Sequence, residues 1–132
     1  GSLSARASTL FNNKTYSVVD PADSVSARPA FAILIYPAYL DKGPDNTLTP
    51  ELQVTSSTPP AFLFVAADDK HASSTLVMAA ALREAEVPVE AHLYPEGGHG
   101  YGLRPGNKAA ITWPTLANKW LEDYILIKQF ER

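Results

Sequence analysis

Three short runs of apolar residues predict the strands of a sheet. Residues 31–36 (FAILIY) and 61–66 (AFLFVA) are continuously apolar, and the first run lies between Pro29 and Pro37. Runs of this kind are typical of strands with both faces covered, as in a parallel sheet flanked by helices. In residues 89–94 (VEAHLY) apolar and polar side chains alternate, which predicts a strand exposed on one face and near the edge of the sheet.

Three other segments have apolar side chains three and four positions apart and predict helices. The expected helices span residues 3–13, 73–86 and 113–128. We expect Ser73 or Ser74 to cap the middle helix and Pro88 to follow its end. Pro114 suits the first turn of the last helix. The apolar stripe of the middle helix is predicted to consist of Leu76, Val77, Ala80, Ala81 and Val87.

The order of these elements predicts the fold class. A strand, a helix and a strand follow one another across residues 61–94, and such βαβ units are almost always right-handed with parallel strands. We therefore expect an α/β fold with a mostly parallel sheet of about three strands and flanking helices. The length of 132 residues and the apolar fraction of 45% suit a single globular domain over residues 1–132, or part of a larger domain.

Composition excludes several classes of partner and cofactor. The net charge is −3 and the basic residues are scattered, so the chain offers no basic surface for nucleic acid. There are no cysteines, which excludes disulfides and thiolate metal sites but leaves the cellular compartment open. No apolar run is long enough to span a membrane. The chain has no H-E-x-x-H motif, and no helix is expected directly after its glycine-rich segment, so we expect neither a metal nor a nucleotide cofactor.

A glycine-rich segment after the third predicted strand contains the first candidate for chemistry. Residues 94–101 read YPEGGHGY, so His99 lies between Gly98 and Gly100. Glycines permit backbone conformations with positive φ and the close approach of other groups. A histidine presented on such a loop can accept and donate a proton near neutral pH. His99 is therefore a candidate general base, although a turn that contains a histidine by chance is an alternative interpretation.

A pair of aspartates follows the second predicted strand. Asp68 and Asp69 and the histidine at position 99 come after strands, and the carboxyl ends of parallel strands form the ligand-binding edge of open α/β sheets. A carboxylate beside an imidazole makes up two members of a nucleophile, base and acid relay. The alternative is a strand-to-helix turn stabilised by hydrogen bonds to the aspartate side chains. Taken together with the histidine loop, the pair favours the catalytic interpretation.

The longest segment without periodicity lies between the first two predicted strands. Residues 37–60 are rich in Pro, Gly, Asp and Thr, and a loop of this length more often has a function than not. It could line a pocket together with Tyr36, Tyr39, Tyr101 and Leu103, but a surface loop and simple packing are equally compatible with the sequence. His71 and His92 are expected to be packing or solvated residues, with His71 near the mouth of such a pocket.

Three segments together resemble the C-terminal half of α/β-hydrolase esterases, in the branch of acetyl xylan esterases and small-ester carboxylesterases. They read PPAFLFVAADDKH, ALREAEVPVEAHLYPEGGHGYGL and WPTLANKWLEDY, and the similarity extends from the first helix to about residue 124. The resemblance implies that Asp69, with Asp68 as the less favoured choice, is the catalytic acid and that His99 is the base. The implied substrates are small acyl esters or carbohydrate-linked esters.

The chain departs from this family in one essential feature. Serine hydrolases of this fold hold their nucleophile in a G-x-S-x-G elbow, and no such pentapeptide occurs here. The resemblance places the first helix directly after that elbow, so the nucleophilic serine would lie a few residues before Gly1. We therefore expect this chain to be inactive alone, since the oxyanion amides also lie upstream. Ser73 and Ser74 are near the acid but lack an elbow.

A second hypothesis is a non-catalytic assembly or interaction module on a hydrolase-derived scaffold. The central strands of the family's sheet lie upstream, so the strand at 31–36 would present an open edge. Exposed strand edges favour pairing with another chain. We therefore expect a homo-oligomer formed through this edge.

Overall fold

The computed structural model describes residues 1–127. Its helices are α1 (Ser2–Thr9), α2 (Ala72–Glu84) and α3 (Lys108–Trp120), and α3 continues as a π-helical segment (Leu121–Leu126). Its strands are β1 (Ala32–Ile35), β2 (Ala61–Ala66) and β3 (Val89–Tyr94). No helix in this part of the chain combines the length and the apolar character needed to cross a membrane.

The three strands form one parallel sheet in the order β1-β2-β3. Every residue of the central strand is buried, whereas β3 is only partly buried. Its alternating sequence suggests that the apolar residues face the core, but Ala91 and Leu93 are exposed, whereas His92 and Tyr94 are half-buried and pack against the core. Among residues 1–127, no further strand pairs with the outer edge of β1 or of β3. The predicted α/β class and the mostly parallel three-stranded sheet are confirmed.

Helices cover both faces of the sheet. Side chains of α1 and α2, including Met78 and Leu82, pack with Leu34 and Leu63 on one face. On the other face the side chains of α3 pack against residues of β2, and this second core comprises Phe62, Phe64, Ala66, Tyr101, Ala109, Ala110, Ala117, Trp120 and Ile125. Neighbouring residues of β2 therefore enter opposite cores, which explains why the whole strand is apolar.

The first and last helices differ in extent from the predicted ranges. Helix α1 ends at Thr9 instead of residue 13, and Ser8 and Thr9 donate hydrogen bonds back to the carbonyls of Ser4 and Ala5. Such bonds compete with the helical backbone and weaken it.

Helix α3 begins at Lys108 instead of residue 113. The Oδ1 atom of Asn107 accepts a hydrogen bond from the Ala110 N–H at 3.1 Å and caps this earlier start. The prediction that Pro114 lies in the first turn was therefore wrong, because the proline lies inside the helix. Residue 128, the predicted end, lies outside the described residues.

The middle helix uses a different face and a different start from those predicted. It spans Ala72–Glu84 instead of 73–86, and no side chain caps it, so the proposed Ser73 or Ser74 cap was wrong. Leu76 is exposed, contrary to the predicted stripe. The buried side chains of the helix are Ser74, Thr75, Met78 and Leu82. These residues are three and four positions apart, so they lie on one face of the helix. Packing against the sheet buries this face and not the adjacent, alanine-rich face that the sequence predicted.

Candidate active site

The carboxyl ends of the parallel strands bring the predicted site residues together. The Nδ1 atom of His99 lies 2.7 Å from the Oδ2 atom of Asp69, a hydrogen-bond distance across 30 positions of sequence. The Asp69 side chain is completely buried, whereas that of His99 is 39% exposed. The carboxylate is thus shielded from water, while the imidazole is accessible from solvent.

Asp69 serves two partners with its two carboxylate oxygens. Oδ1 accepts a hydrogen bond from the backbone N–H of His71 at 2.8 Å, and Oδ2 faces the imidazole of His99. One side chain therefore forms both an Asx-type turn and the contact with histidine, which the sequence presented as alternatives. The turn fixes the carboxylate before helix α2 begins and keeps its second oxygen available to the ring.

Asp68 does not share this contact. Its Oδ1 atom accepts hydrogen bonds from the backbone N–H groups of Gly97 and Gly98, at 2.9 Å and 2.8 Å. Of the two adjacent aspartates, Asp69 is thus the partner of the imidazole, and Asp68 binds the loop that carries it.

Two aromatic rings pack against the imidazole of His99. The ring centroids of His71 and Tyr36 lie 5.1 Å and 5.2 Å from that of His99, both in edge-on arrangements. Tyr39 packs against His71 at 4.8 Å, and Tyr101 packs against Tyr36 at 4.7 Å. Such edge-on contacts are favourable aromatic geometries. Sequence reasoning named the three tyrosines as possible pocket residues but did not identify His71 as a direct neighbour of His99, although it lies only two positions after Asp69.

Two of these tyrosines have unusual backbone conformations. Tyr36 and Tyr39 have φ values of 39° and 61°, in the left-handed region that bulky residues rarely adopt. Strained conformations of this kind concentrate at functional sites, where the surrounding structure holds them in place. No sequence signal indicated this strain. It turns the chain sharply after β1 and directs Tyr36 toward His99 and Tyr39 toward His71.

Tyr101 is the most deeply buried ring of the group. Burial is the main cause that raises the pKa of its phenol well above the usual range, and the nearby Tyr36, Asp69 and Asp68 raise this pKa further. Its hydroxyl is buried without a hydrogen-bond partner among residues 1–127. The phenol therefore stays uncharged at neutral pH and supports the wall of the site as a neutral group. Leu103, also named from the sequence, is exposed.

The two serines considered as substitute nucleophiles have other partners. Ser73 and Ser74 both donate hydrogen bonds to the carboxylate of Asp41. The bond from Ser73 is the main cause that lowers the pKa of Asp41 to about 2. The backbone N–H of Leu40 also donates to the hydroxyl of Ser74, at 3.1 Å. These contacts attach the loop after β1 to helix α2 and leave neither serine paired with His99.

The remaining histidine is structural. His92 lies on β3, where its Nε2 atom is 2.8 Å from Glu90 and its ring packs against Phe62 and Phe64. In the described part of the chain, no group of three or more His, Asp or Glu side chains is arranged to hold a metal ion.

The start of helix α1 lies at the same end of the sheet. A Cβ atom on Gly1 would come within 2.6 Å of the Pro37 Cα and 2.8 Å of the Ile35 carbonyl oxygen, so only glycine fits this contact. The Ser2 hydroxyl donates to the Ala38 carbonyl at 2.6 Å and accepts from the Ala38 N–H at 3.0 Å. The N-terminus of α1 is therefore held beside the strained turn that carries Tyr36.

Several solved structures are similar to this chain over most of its length. The chain is similar to the acetyl ester-xyloside bifunctional hydrolase from Caldicellulosiruptor lactoaceticus, with a TM-score of 0.75 and 30% identity over 91% of this chain and 52% of that one. It is also similar to MGS-M1, an α/β hydrolase from a Medee basin deep-sea metagenome library, with a TM-score of 0.64 and 28% identity over 88% of this chain and 48% of that one.

A thermophilic esterase from the Planctomycetes species Thermogutta terrifontis shares the fold, with a TM-score of 0.67 and 18% identity over 89% of this chain and 49% of that one. No protein-family model and no curated protein matches the chain. The chain thus spans about half the length of the solved structures it resembles.

Proposed function

This chain shares its fold with α/β-hydrolase esterases, and on that premise we propose that it supplies the acid and the base of a serine esterase. The observation that carries the proposal is the 2.7 Å contact between Asp69 Oδ2 and His99 Nδ1. A buried carboxylate that accepts from Nδ1–H holds the imidazole in the tautomer whose Nε2 atom is free to accept a proton. The partly exposed ring of His99 suits that role.

The reaction requires a hydroxyl from outside the described residues. Nε2 of His99 would take the proton of a serine hydroxyl as the serine oxygen bonds to the acyl carbon. Asp69 would stabilise the imidazolium that forms, and the imidazolium would then return its proton to the departing alcohol. A water molecule, activated in the same way, would release the acid from the serine. No side chain of residues 1–127 other than Asp69 hydrogen-bonds to this imidazole.

We propose that the serine belongs to an elbow directly before helix α1. In α/β hydrolases the nucleophile lies on a sharp turn between a strand and a helix. The close contact of Gly1 with Ile35 and Pro37 sets the start of α1 at the sheet end where His99 lies. In this proposal, residues 1–132 form the C-terminal portion of a hydrolase domain and are inactive without the elbow and its oxyanion amides.

The proposed substrates are acyl esters of small alcohols or sugars. One solved relative is named as an acetyl ester-xyloside hydrolase, and others are named as esterases. The rings of Tyr36 and His71 beside His99, with that of Tyr39 against His71, offer apolar surface with polar edges, as esters with polar alcohol groups require.

Hydrolysis of p-nitrophenyl acetate tests the proposal in two proteins. The chain alone is expected to show no turnover above the buffer rate, because it holds two members of a relay that acts as a unit. A joined protein, in which an α/β-hydrolase segment ending in a G-x-S-x-G elbow precedes Gly1, is expected to hydrolyse the ester. Turnover by the chain alone that disappears in a His99→Ala variant would contradict the need for an external nucleophile.

One observation favours a second function, assembly through a sheet edge. The outer edge of β1 pairs with no strand among residues 1–127, and unpaired edges form hydrogen bonds with other chains. In this proposal the chain forms a homo-oligomer by continuing the sheet across a twofold axis. Light scattering at increasing concentration is expected to give a mass above that of one chain, and a constant monomer mass would rule the assembly out.

A further inference from the structure

The loop that carries His99 needs restraints from outside itself. Gly98 and Gly100, on either side of the histidine, have φ values of 67° and 71°. Glycine loses more conformational freedom on ordering than any other residue. A loop of this composition would sample many conformations if nothing else held it, and the imidazole would leave the carboxylate of Asp69.

Asp68 supplies one such restraint. A single oxygen of its carboxylate accepts two consecutive backbone N–H groups, those of Gly97 and Gly98, at 2.9 Å and 2.8 Å. These two hydrogen bonds join a side chain to backbone groups 29 and 30 positions away in the sequence. They bind the two residues that immediately precede His99, so they restrain the backbone at the point where the imidazole side chain departs.

Gly97 is held on its other sides by helix α3 and the central strand. Its carbonyl accepts a hydrogen bond from the Nδ2 atom of Asn107 at 3.0 Å. A Cβ atom on Gly97 would lie only 2.6 Å from the Cβ of Ala109 and 3.3 Å from that of Ala66. The start of the loop at Gly97 is therefore fixed to the sheet and to the helix cap. Asp68 also binds Gly98, the next residue toward His99.

We propose that Asp68 is a positioning residue for His99. The two adjacent aspartates after β2 then have separate roles, since Asp69 binds the imidazole ring and Asp68 binds the backbone of the loop that carries it. The role rests on the function proposed above for His99, and it explains why two neighbouring carboxylates follow one strand. Asp68 touches neither the ring nor the reacting atoms and acts through the loop alone.

Proton NMR of the chain tests this role without any need for turnover. In the unchanged chain, the Hδ1 proton of His99 is expected to give a low-field signal because it is hydrogen-bonded to the carboxylate of Asp69. The Asp68→Ala variant is expected to lose or broaden that signal and to exchange the Gly97 and Gly98 amide protons about tenfold faster or more. The Asp68→Asn variant keeps an acceptor oxygen and is expected to keep the signal. Glu96→Gln, an exposed acid of the same loop that faces Lys108, is the matched control and is expected to change neither readout.

The outcomes separate this role from the proposed function. An unchanged His99 signal in Asp68→Ala would overturn the positioning role, and so would loss of the signal in Glu96→Gln. An unfolded Asp68→Ala variant would also overturn it, because Asp68 would then support the whole fold and not the loop. Absence of the low-field signal in the unchanged chain would instead count against the proposed acid and base pair, while amide exchange at Gly97 and Gly98 would still report on Asp68.

Discussion

Replacing Phe64 with alanine is expected to lower the free energy of unfolding by about 3–5 kcal/mol, the usual cost of removing a buried aromatic ring. Phe64 is fully buried in the central strand. Its ring packs against those of His92, Tyr94 and Tyr101, with centroids 5.7–6.4 Å away. Strands on both sides of β2 limit how far the structure can close around the cavity. Urea unfolding followed by circular dichroism measures the loss.

Leu93→Ala is the matched control for this prediction. Leu93 lies on the neighbouring strand and is 53% exposed, so its truncation removes little buried area and is expected to cost less than about 1 kcal/mol. Equal losses in the two variants would show that the second core does not depend on β2 as the structure indicates. A changed denaturant slope in either variant would point to an altered unfolded or native state instead.

His99→Ala in the joined protein is expected to lower kcat for p-nitrophenyl acetate by about 10⁴-fold or more. The variant removes the group proposed to accept the serine proton, and Asp69 alone cannot replace it because its carboxylate is buried and bonded to the His71 N–H. The KM is expected to change much less, because the imidazole acts mainly on the transition state.

His92→Gln in the same joined protein controls for loss of a histidine as such. His92 lies on β3, where it pairs with Glu90 and packs against Phe62 and Phe64. It is expected to retain kcat within about threefold, in line with the small effects of substitutions outside the site. A loss of activity in His92→Gln as large as that in His99→Ala would remove the case for a specific base.

The predicted strands agree with the observed ones to within about one residue at each end, because long apolar runs in a covered sheet leave little choice of conformation. Helix ends were less predictable. Asn107 capped a helix five residues before the expected start, and back-bonding by Ser8 and Thr9 accompanied the early end of α1. Both effects depend on where single side chains find backbone partners, which periodicity does not report.

The candidate site, like the secondary structure, was predictable only in part from the sequence. Sequence reasoning named His99 and the two adjacent aspartates, because a glycine-flanked histidine and paired acids after strands are local signals. It could not decide how Asp68 and Asp69 share their partners, or that the ring of His71 would lie against that of His99. Those contacts join segments about 30 residues apart, so they follow from the parallel alignment of the strands.

The sequence by itself determined the α/β class, the three strands and the residue types available for acid and base chemistry, since hydrophobic periodicity and glycine-flanked polar residues are local properties of a chain. Only the tertiary structure decided which oxygen faces the imidazole, which face of α2 is buried and how the strained turn places Tyr36 against His99 and Tyr39 against His71. The physical reason is that burial and hydrogen-bond pairing depend on groups distant in sequence, and packing assigns each polar atom its partner only once the sheet has formed.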